Sequence, residues 1–301
     1  MKLVVFGFGY SARAVADRLR ESGAEIAATA QTPGKAELLT RSGVRGLTFS
    51  DEARDLAIAD EIAASDAILV SIPPDQGGDR VLSAFAEAIA SAPRLRWIGY
   101  LSTVGVYGDH GGGWVDEATP ATPCEGRSQI RAEAERAWLG FGAAHGKAVH
   151  LFRLAGIYGP GRNQLAQLAH GTARRIVKPG QVFNRIHVAD IAAVIEASLK
   201  RPRGGAIYNV CDDEPAPPQD VVSFAAQLCG VAPPPEIPFD QADLSPMSRS
   251  FYGENKRVRN GLIRRELGVV LRYPNYRIGL TALRASGEGP NAPARNTTRS
   301  A

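Results

Sequence analysis

Residues that could do chemistry appear first at Gly7-Phe8-Gly9-Tyr10-Ser11-Ala12. The apolar run "KLVVFG" leads into the two glycines, and helical spacing at Ala14, Val15 and Leu19 follows as far as Gly23. In a strand–turn–helix unit the first glycine permits a tight reversal and the second lets backbone approach a pyrophosphate. The third small residue lets helix and strand pack closely. Helix N–H groups then face the phosphates, and the Tyr10 and Ser11 hydroxyls add donors. The same glycines also suit a purely structural turn. At the end of the second strand, "TAQTPGK" carries Thr29, Gln31, Thr32 and Lys35 and no carboxylate. A carboxylate there would bond a ribose 2′-hydroxyl and repel a 2′-phosphate. Its absence favours NADP over NAD, with Lys35 to neutralise a phosphate and Gln31 or Thr32 to bond it. The alternative is that Lys35 merely opens a surface helix.

Such residues need a frame. Strand-like runs recur at 24–30, 46–49, 66–72, 96–102 and 148–154, with helix-like stretches at 11–22, 34–42, 78–91 and 127–141 and a less distinct one at 52–64. Runs that are apolar throughout suit strands buried on both faces. Their alternation with helices predicts an α/β fold with a doubly wound parallel sheet and ligands at the strand C-termini. The strongest helix signal, "RSQIRAEAERAWLGF", sets Ile130, Ala134, Ala137, Trp138 and Phe141 on one face. Farther on, Asp190 is placed to cap "IAAVIEASL". The segment "GAIYNVCDD" (205–213) reads as a late strand, and the proline-rich 213–246 as irregular cover over the ligand edge. The expected organisation is a Rossmann domain over 1–158 and 186–212. It interleaves with a smaller, mostly C-terminal substrate subdomain over 159–185 and 213–285, and a flexible tail follows at 286–301.

With 301 residues, 44% hydrophobic and 22% charged, the chain reads as globular. A formal charge of +4 is small for this size, so no nucleic-acid partner is expected. No apolar stretch approaches the roughly 18–20 residues of a membrane span. The apolar run at the start is too short for a signal peptide, and Arg13, Asp17 and Arg18 follow it at once. Cys124, Cys211 and Cys229 lie far apart without metal-ligand spacing, which suits a reducing compartment, and a cytoplasmic location is expected. No HxxEH run, metal cluster or Ser-His-Asp order supports a metalloenzyme or hydrolase. Arg249, Lys256, Arg257, Arg259, Arg264 and Arg265 concentrate positive charge. They form either a solvated face or a rim that draws in an anionic substrate such as a phosphorylated sugar.

Later segments resemble the extended short-chain dehydrogenase/reductase superfamily of sugar-nucleotide epimerases and dehydratases. The resemblance runs through "LSTVGVYGD" (101–109), "DEATPATP" (116–123), "FRLAGIYGPGR" (152–162), "FNRIHVAD" (183–190), "YNVCDDEP" (208–215) and "LGVVLRYPNYRIGLTAL" (267–283), in the family's order over nearly the whole chain. It implies that Ile72, Pro73 and Ser102 lie along the cofactor and that Ala155, Gly156 and Ile157 meet its nicotinamide end. It also implies that Arg162, Asn163 and Arg185 meet a small-molecule substrate, that His187 is structural, and that a homodimer forms through the helices at 78–91 and 127–141.

Two departures mark an atypical member. Phe6 stands where the first glycine of the family's GxxGxxG would fall. The family's Tyr-x-x-x-Lys pair should open the helix after Pro123, but "EGRSQIRAE" puts Glu125 and Gln129 at those positions. In the family the Tyr is the acid/base, the Lys lowers its pKa, and a Ser/Thr matched here by Thr103 bonds the substrate oxygen. An ordinary Glu, with a pKa near 4.3, is a weak base and a poor acid at neutral pH unless burial raises it. Three readings stay open. Glu125 replaces the Tyr as a pKa-raised acid/base, with Gln129 on the ribose; or Tyr107 supplies the phenol; or the site binds NAD(P) without turnover and the protein is a regulator or scaffold.

Overall fold

The computed structural model describes residues 1–291. Its centre is a seven-stranded parallel sheet. The strands are β1 (Lys2–Phe6), β2 (Glu25–Ala30), β3 (Arg45–Thr48), β4 (Ala67–Val70), β5 (Trp97–Thr103), β6 (Ala148–Leu154) and β7 (Ala206–Val210). Their spatial order is β7-β6-β5-β4-β1-β2-β3. The order reverses between β1 and β4, and a cleft opens there beyond the strand C-termini. The doubly wound Rossmann architecture is thus present.

Alternate side chains of β1 feed opposite cores. Leu3 and Val5 join one cluster with Ala12, Val15 and Leu19, whereas Val4 and Phe6 join another with Ile58, Phe85 and Trp138. A strand with two buried faces must be apolar at every position, which is why "LVVF" shows no alternation. Helix α1 (Tyr10–Glu21) buries Ala12, Val15, Ala16 and Leu19 on the first face. The second face is covered by α3 (Ala57–Ala63), α4 (Arg80–Ser91) and α5 (Arg127–His145), the last contributing Ala134 and Trp138. A further crossover helix, α2 (Pro33–Arg41), lies between β2 and β3. Asp79 opens α4 by accepting from the Val81 and Leu82 N–H groups, each at 3.0 Å.

Helix α6 is the short Gln164–Ala169, and α7 spans Val188–Leu199. Asp190 does not cap α7. The helix starts two residues earlier and is capped by His187, whose Nδ1 accepts from the Ala189 N–H at 3.1 Å. The Asp190 carboxylate instead accepts from the Arg272 and Tyr273 N–H groups at 2.8 and 3.0 Å, tying a distant loop to the helix. The stretch 213–246 is not irregular throughout, because Pro218–Cys229 forms helix α8. A proline in the first turn gives up an N–H that has no intrahelical acceptor in any case, so the prolines begin a helix here. A third cluster holds Tyr158, Leu165, Val221, Tyr276 and Leu280, the last two from helix Tyr276–Ala285. Residues 286–291 are held rather than loose. Glu288 is buried and accepts from the Gly161 N–H and Asn163 Nδ2. The remainder of the expected tail, 292–301, lies outside the described residues.

Among the described residues no helix is long and apolar enough to cross a membrane, and no group of three or more His, Cys, Asp or Glu is placed to hold a metal ion.

Candidate functional site

Two cavities meet along the C-terminal edge of the sheet. The first, of about 960 Å³, is lined by Gly7, Phe8, Gly9, Gln31 and Lys35 among others. The second, of about 1230 Å³, is lined by Tyr10, Ser11, Thr103, Ala155, Gly156, Ile157, Arg162 and Arg185 among others. Gln31, Ser71, Ile72, Pro73, Asp75 and Arg80 line both, so the two form one groove.

The glycine turn opens onto the first cavity. Gly7 has φ +83°, in the left-handed region, and its N–H donates to Thr29 Oγ1 at 2.9 Å. A Cβ at Gly7 would lie 2.9 Å from Ile72 Cγ1, so the turn itself demands glycine. Gly9 is different. Its φ of −81° is ordinary, and a Cβ there would meet no protein atom within 4 Å. Gly9 precedes α1, whose start has no side-chain cap and no acidic residue in the first turn. Uncapped N–H groups at the positive end of a helix dipole suit an anion. The Phe8 ring packs on the core with the Arg13 guanidinium 5.5 Å from its centroid, and the Tyr10 hydroxyl donates to the Pro160 carbonyl at 3.0 Å. Both rings form wall beside open space. By shape and donor set the groove fits a dinucleotide.

At the end of β2, Gln31 and Lys35 face the cavity. Thr32 caps α2 instead, accepting from the Lys35 N–H at 3.4 Å.

Of the four expected catalytic residues, Thr103 lines the groove, and Glu125, Gln129 and Tyr107 do not. Helix α5 begins at Arg127, so Glu125 lies before it, exposed and outside both cavities. Gln129 is also exposed and donates to Glu133 Oε1 at 3.1 Å. The α5 residues at the groove are Arg127, Ser128, Ile130 and Arg131. Tyr107 is fully buried in a 3-10 turn, away from the groove. Its hydroxyl donates to Asn209 Oδ1 at 2.8 Å, and burial pushes its pKa up to about 12. Its ring packs in the core. Thr103 ends β5 and lines the groove, its Oγ1 accepting from the Gly105 N–H at 3.1 Å. Ser102 also borders the groove, but its hydroxyl is spent on Glu135 Oε1 at 2.5 Å.

Arg162 lines the groove with its guanidinium 5.8 Å from the Tyr10 ring centroid. Asn163 is buried behind it. Its Oδ1 caps α6 through the Ala166 N–H at 3.0 Å and its Nδ2 donates to Glu288, which ties down the loop. Arg185 is buried, and its Nη1 donates to the Phe183 and Ala216 carbonyls. Of the basic cluster at 249–265 only Lys256 lines the groove. Arg264 pairs with Asp213, Arg259 sits over Trp114, and Arg249 donates to the Ala242 carbonyl. Sequence reading missed Arg127, Ser128, Arg131 and Arg174 at the groove. The i, i+4 arginines of "RSQIR" were the available signal.

Asp212, just after β7, is 2% exposed, and its Oδ2 has no hydrogen-bond partner. Burial pushes its pKa from 3.8 up to about 8, against the opposing charge of Arg185. The folded chain therefore holds this proton more tightly than the unfolded chain does. The resulting stability is fully present below about pH 4 and is lost as pH rises through about 8. Denaturant midpoints measured across that window should fall less steeply with pH in Asp212→Asn. An unchanged slope would assign the pH dependence to other groups.

No family model matches the chain. Protein YeeZ of Escherichia coli K12 is 30% identical over 285 residues, covering 91% of this chain and 97% of that one. A solved structure from Silicibacter pomeroyi, a conserved protein of unknown function, superposes with a TM-score of 0.85 at 51% identity, covering 95% of this chain and 98% of that one. The human epimerase family protein SDR39U1, solved with NADPH, has a TM-score of 0.71 at 18% identity over 94% of this chain and 99% of that one. With a near full-length relative, a matching fold and the motif order of strands β5 to β7, the chain belongs to the extended short-chain dehydrogenase/reductase (NAD-dependent epimerase/dehydratase) superfamily, as an atypical member related to YeeZ.

Proposed function

We propose that the chain is an NAD(P)-dependent oxidoreductase or epimerase-like protein that takes NADP(H) ahead of NAD(H) and acts on an anionic nucleotide-sugar or polyol derivative. The observation that carries this reading is the continuous groove, with glycines and an uncapped helix start at one end and hydroxyls and arginines at the other. A bound nicotinamide supplies hydride exchange. The first-turn N–H groups of α1 hold the diphosphate, and Gln31 and Lys35 meet the adenosine ribose. The Thr103 oxygen accepts from the Gly105 N–H, which leaves the hydroxyl proton to bond a substrate oxygen. Arg162 and Arg185 neutralise substrate charge.

Calorimetric titration tests this. Saturable NADPH binding below about 1 mM is expected, and no response at millimolar concentrations of either dinucleotide overturns the reading. Lys35→Glu should weaken NADPH by roughly 10-fold or more and reverse the NADPH/NADH preference, since a carboxylate repels the 2′-phosphate. An unchanged ratio removes Lys35 from cofactor choice.

A second reading, a redox-silent NAD(P)-binding regulator or scaffold, is favoured by one observation. The α5 face at the groove bears arginines, whose guanidinium groups offer hydrogen-bond donors but no acceptor, in place of an acid–base pair. Single-turnover absorbance with NADPH and a panel of nucleotide-sugars separates the two. Oxidation of NADPH supports the enzyme, whereas binding without oxidation supports the regulator.

A further inference from the structure

Helix α5 carries two guanidinium groups to the groove at the place where an acid–base pair was expected. Arg127 and Arg131 are four residues apart, so they rise from one helix face. Both line the larger cavity, with Ser128 between them and Thr103 across from the helix on the end of β5. Arg131 is anchored: its Nη1 donates to the Leu101 carbonyl at 2.8 Å and to the Tyr100 hydroxyl at 3.3 Å. Its other nitrogens find no hydrogen-bond acceptor among the described residues. Among the described residues the one side-chain hydrogen bond of Arg127 is to the Met247 sulfur, at 3.3 Å.

The surrounding carboxylates are committed elsewhere. Glu135 is paired with Arg153 at 2.7 Å, Asp79 caps α4, and Glu254 pairs with Lys256. Neither Arg127 nor Arg131 is ion-paired among the described residues. A guanidinium presents a planar fork of donors that matches the oxygens of a carboxylate or phosphate, often two at a time. One that is held by its neighbours and still has donors to spare is arranged for an oxyanion from outside.

The geometry points to an oxyanion subsite on α5, in which Arg127 and Arg131, with the Ser128 and Thr103 hydroxyls, grip a carboxylate or phosphate on the substrate. The subsite rests on the reading of the groove as a cofactor-and-substrate cleft and narrows it. The substrate portion that meets α5 is acidic, as in a sugar acid or a sugar phosphate, and a neutral polyol is disfavoured. Arg162, at the groove wall, remains for a second anionic group, so a substrate charged at both ends fits this wall.

The test titrates NADPH-saturated protein with D-glucuronate, D-glucose 6-phosphate and D-glucose, followed by calorimetry. Saturable uptake of the acids and none of glucose is expected. Arg127→Gln and Arg131→Gln should each weaken acid binding by at least about 10-fold. Arg131→Lys keeps the charge but loses the fork and should fall between. Because Arg131 also supports the end of β5, Arg127→Gln, at an exposed position, tests the subsite even if the other variant folds poorly. Arg136→Gln removes an exposed charge of the same helix outside the groove and should change nothing. The ratio of the two acid affinities distinguishes a carboxylate from a phosphate site. The subsite is overturned if wild-type protein takes up neither acid, if glucose binds equally, if both glutamine variants retain full affinity, or if Arg136→Gln lowers it as much. NADPH titration of the same samples separates the failures. Intact NADPH binding without acid discrimination sinks the subsite alone, and absent NADPH binding sinks the underlying reading.

Discussion

Exchange of Gly9 for valine is expected to lower the melting temperature by no more than about 3 °C while weakening NADPH binding by at least about 100-fold. The two glycines of the turn do different jobs. At Gly7 the backbone is left-handed and a Cβ would press on Ile72 at 2.9 Å, so substitution there strains the fold by about 1–3 kcal/mol. At Gly9 the φ is −81° and nothing of the protein lies within 4 Å of a Cβ. The carbonyl of Gly9 accepts from the Arg13 N–H at 2.9 Å, a backbone bond that valine keeps. The cost to the fold is the poorer helix cap, about 1 kcal/mol. The added methyl groups would enter the space in front of the α1 N–H groups, where a diphosphate would sit. Scanning fluorimetry and calorimetric titration of the one variant read both quantities. If Gly9→Val melts normally and binds NADPH like the wild type, those N–H groups do not hold the dinucleotide.

The largest stability effect is expected at Glu135. Its carboxylate and the Arg153 guanidinium are 3% and 5% exposed and meet at 2.7 Å, with Arg153 Nε also donating to both Glu135 oxygens. Ser102 Oγ donates to the same carboxylate, and the Arg153 guanidinium lies 4.7 Å from the Tyr107 ring centroid. Glu135→Ala leaves a cation buried without its counter-charge, which costs about 3–5 kcal/mol. Urea denaturation should show this at low and high salt alike, because a buried pair is little screened. Glu135→Leu combined with Arg153→Met should recover at least half of the loss, since replacing both charges removes the unpaired cation. A cost below about 1 kcal/mol for Glu135→Ala would mean that the pair does not set the stacking of α5 on β5 and β6. That stacking matters to the site, because it holds Thr103 at the strand end and turns Arg127 and Arg131 toward the groove.

Glu135 also changes which positions of α5 are buried. The apolar positions Ile130, Ala134, Ala137, Trp138 and Phe141 suggested one buried face for α5. The buried set is Ala132, Ala134, Glu135, Trp138 and Gly142. Counting apolar residues cannot place a carboxylate inside, and here the partner that makes its burial tolerable comes from β6. Two residues along a helix amount to about 200° of rotation. Gln129 therefore lies toward solvent while Arg127 and Arg131, two positions to either side of it, border the cleft, and Glu125 precedes the helix altogether. The proline-rich stretch around 217–218 misled in a related way, since proline breaks a helix interior but readily starts a helix.

By itself the sequence determined the sheet, its crossover helices and the glycine turn. A strand buried on both faces must be apolar along its length, and a chain reversal at left-handed φ requires glycine, so these demands are local and visible residue by residue. Only the tertiary structure decided which side chains share the groove. Whether Tyr107 is a reactive phenol or a packed ring, and whether Asn163 meets substrate or Glu288, depends on partners some 100 residues away or more. Helix rotation and buried charge pairing answer to those distant partners, and no spacing rule along the chain records them.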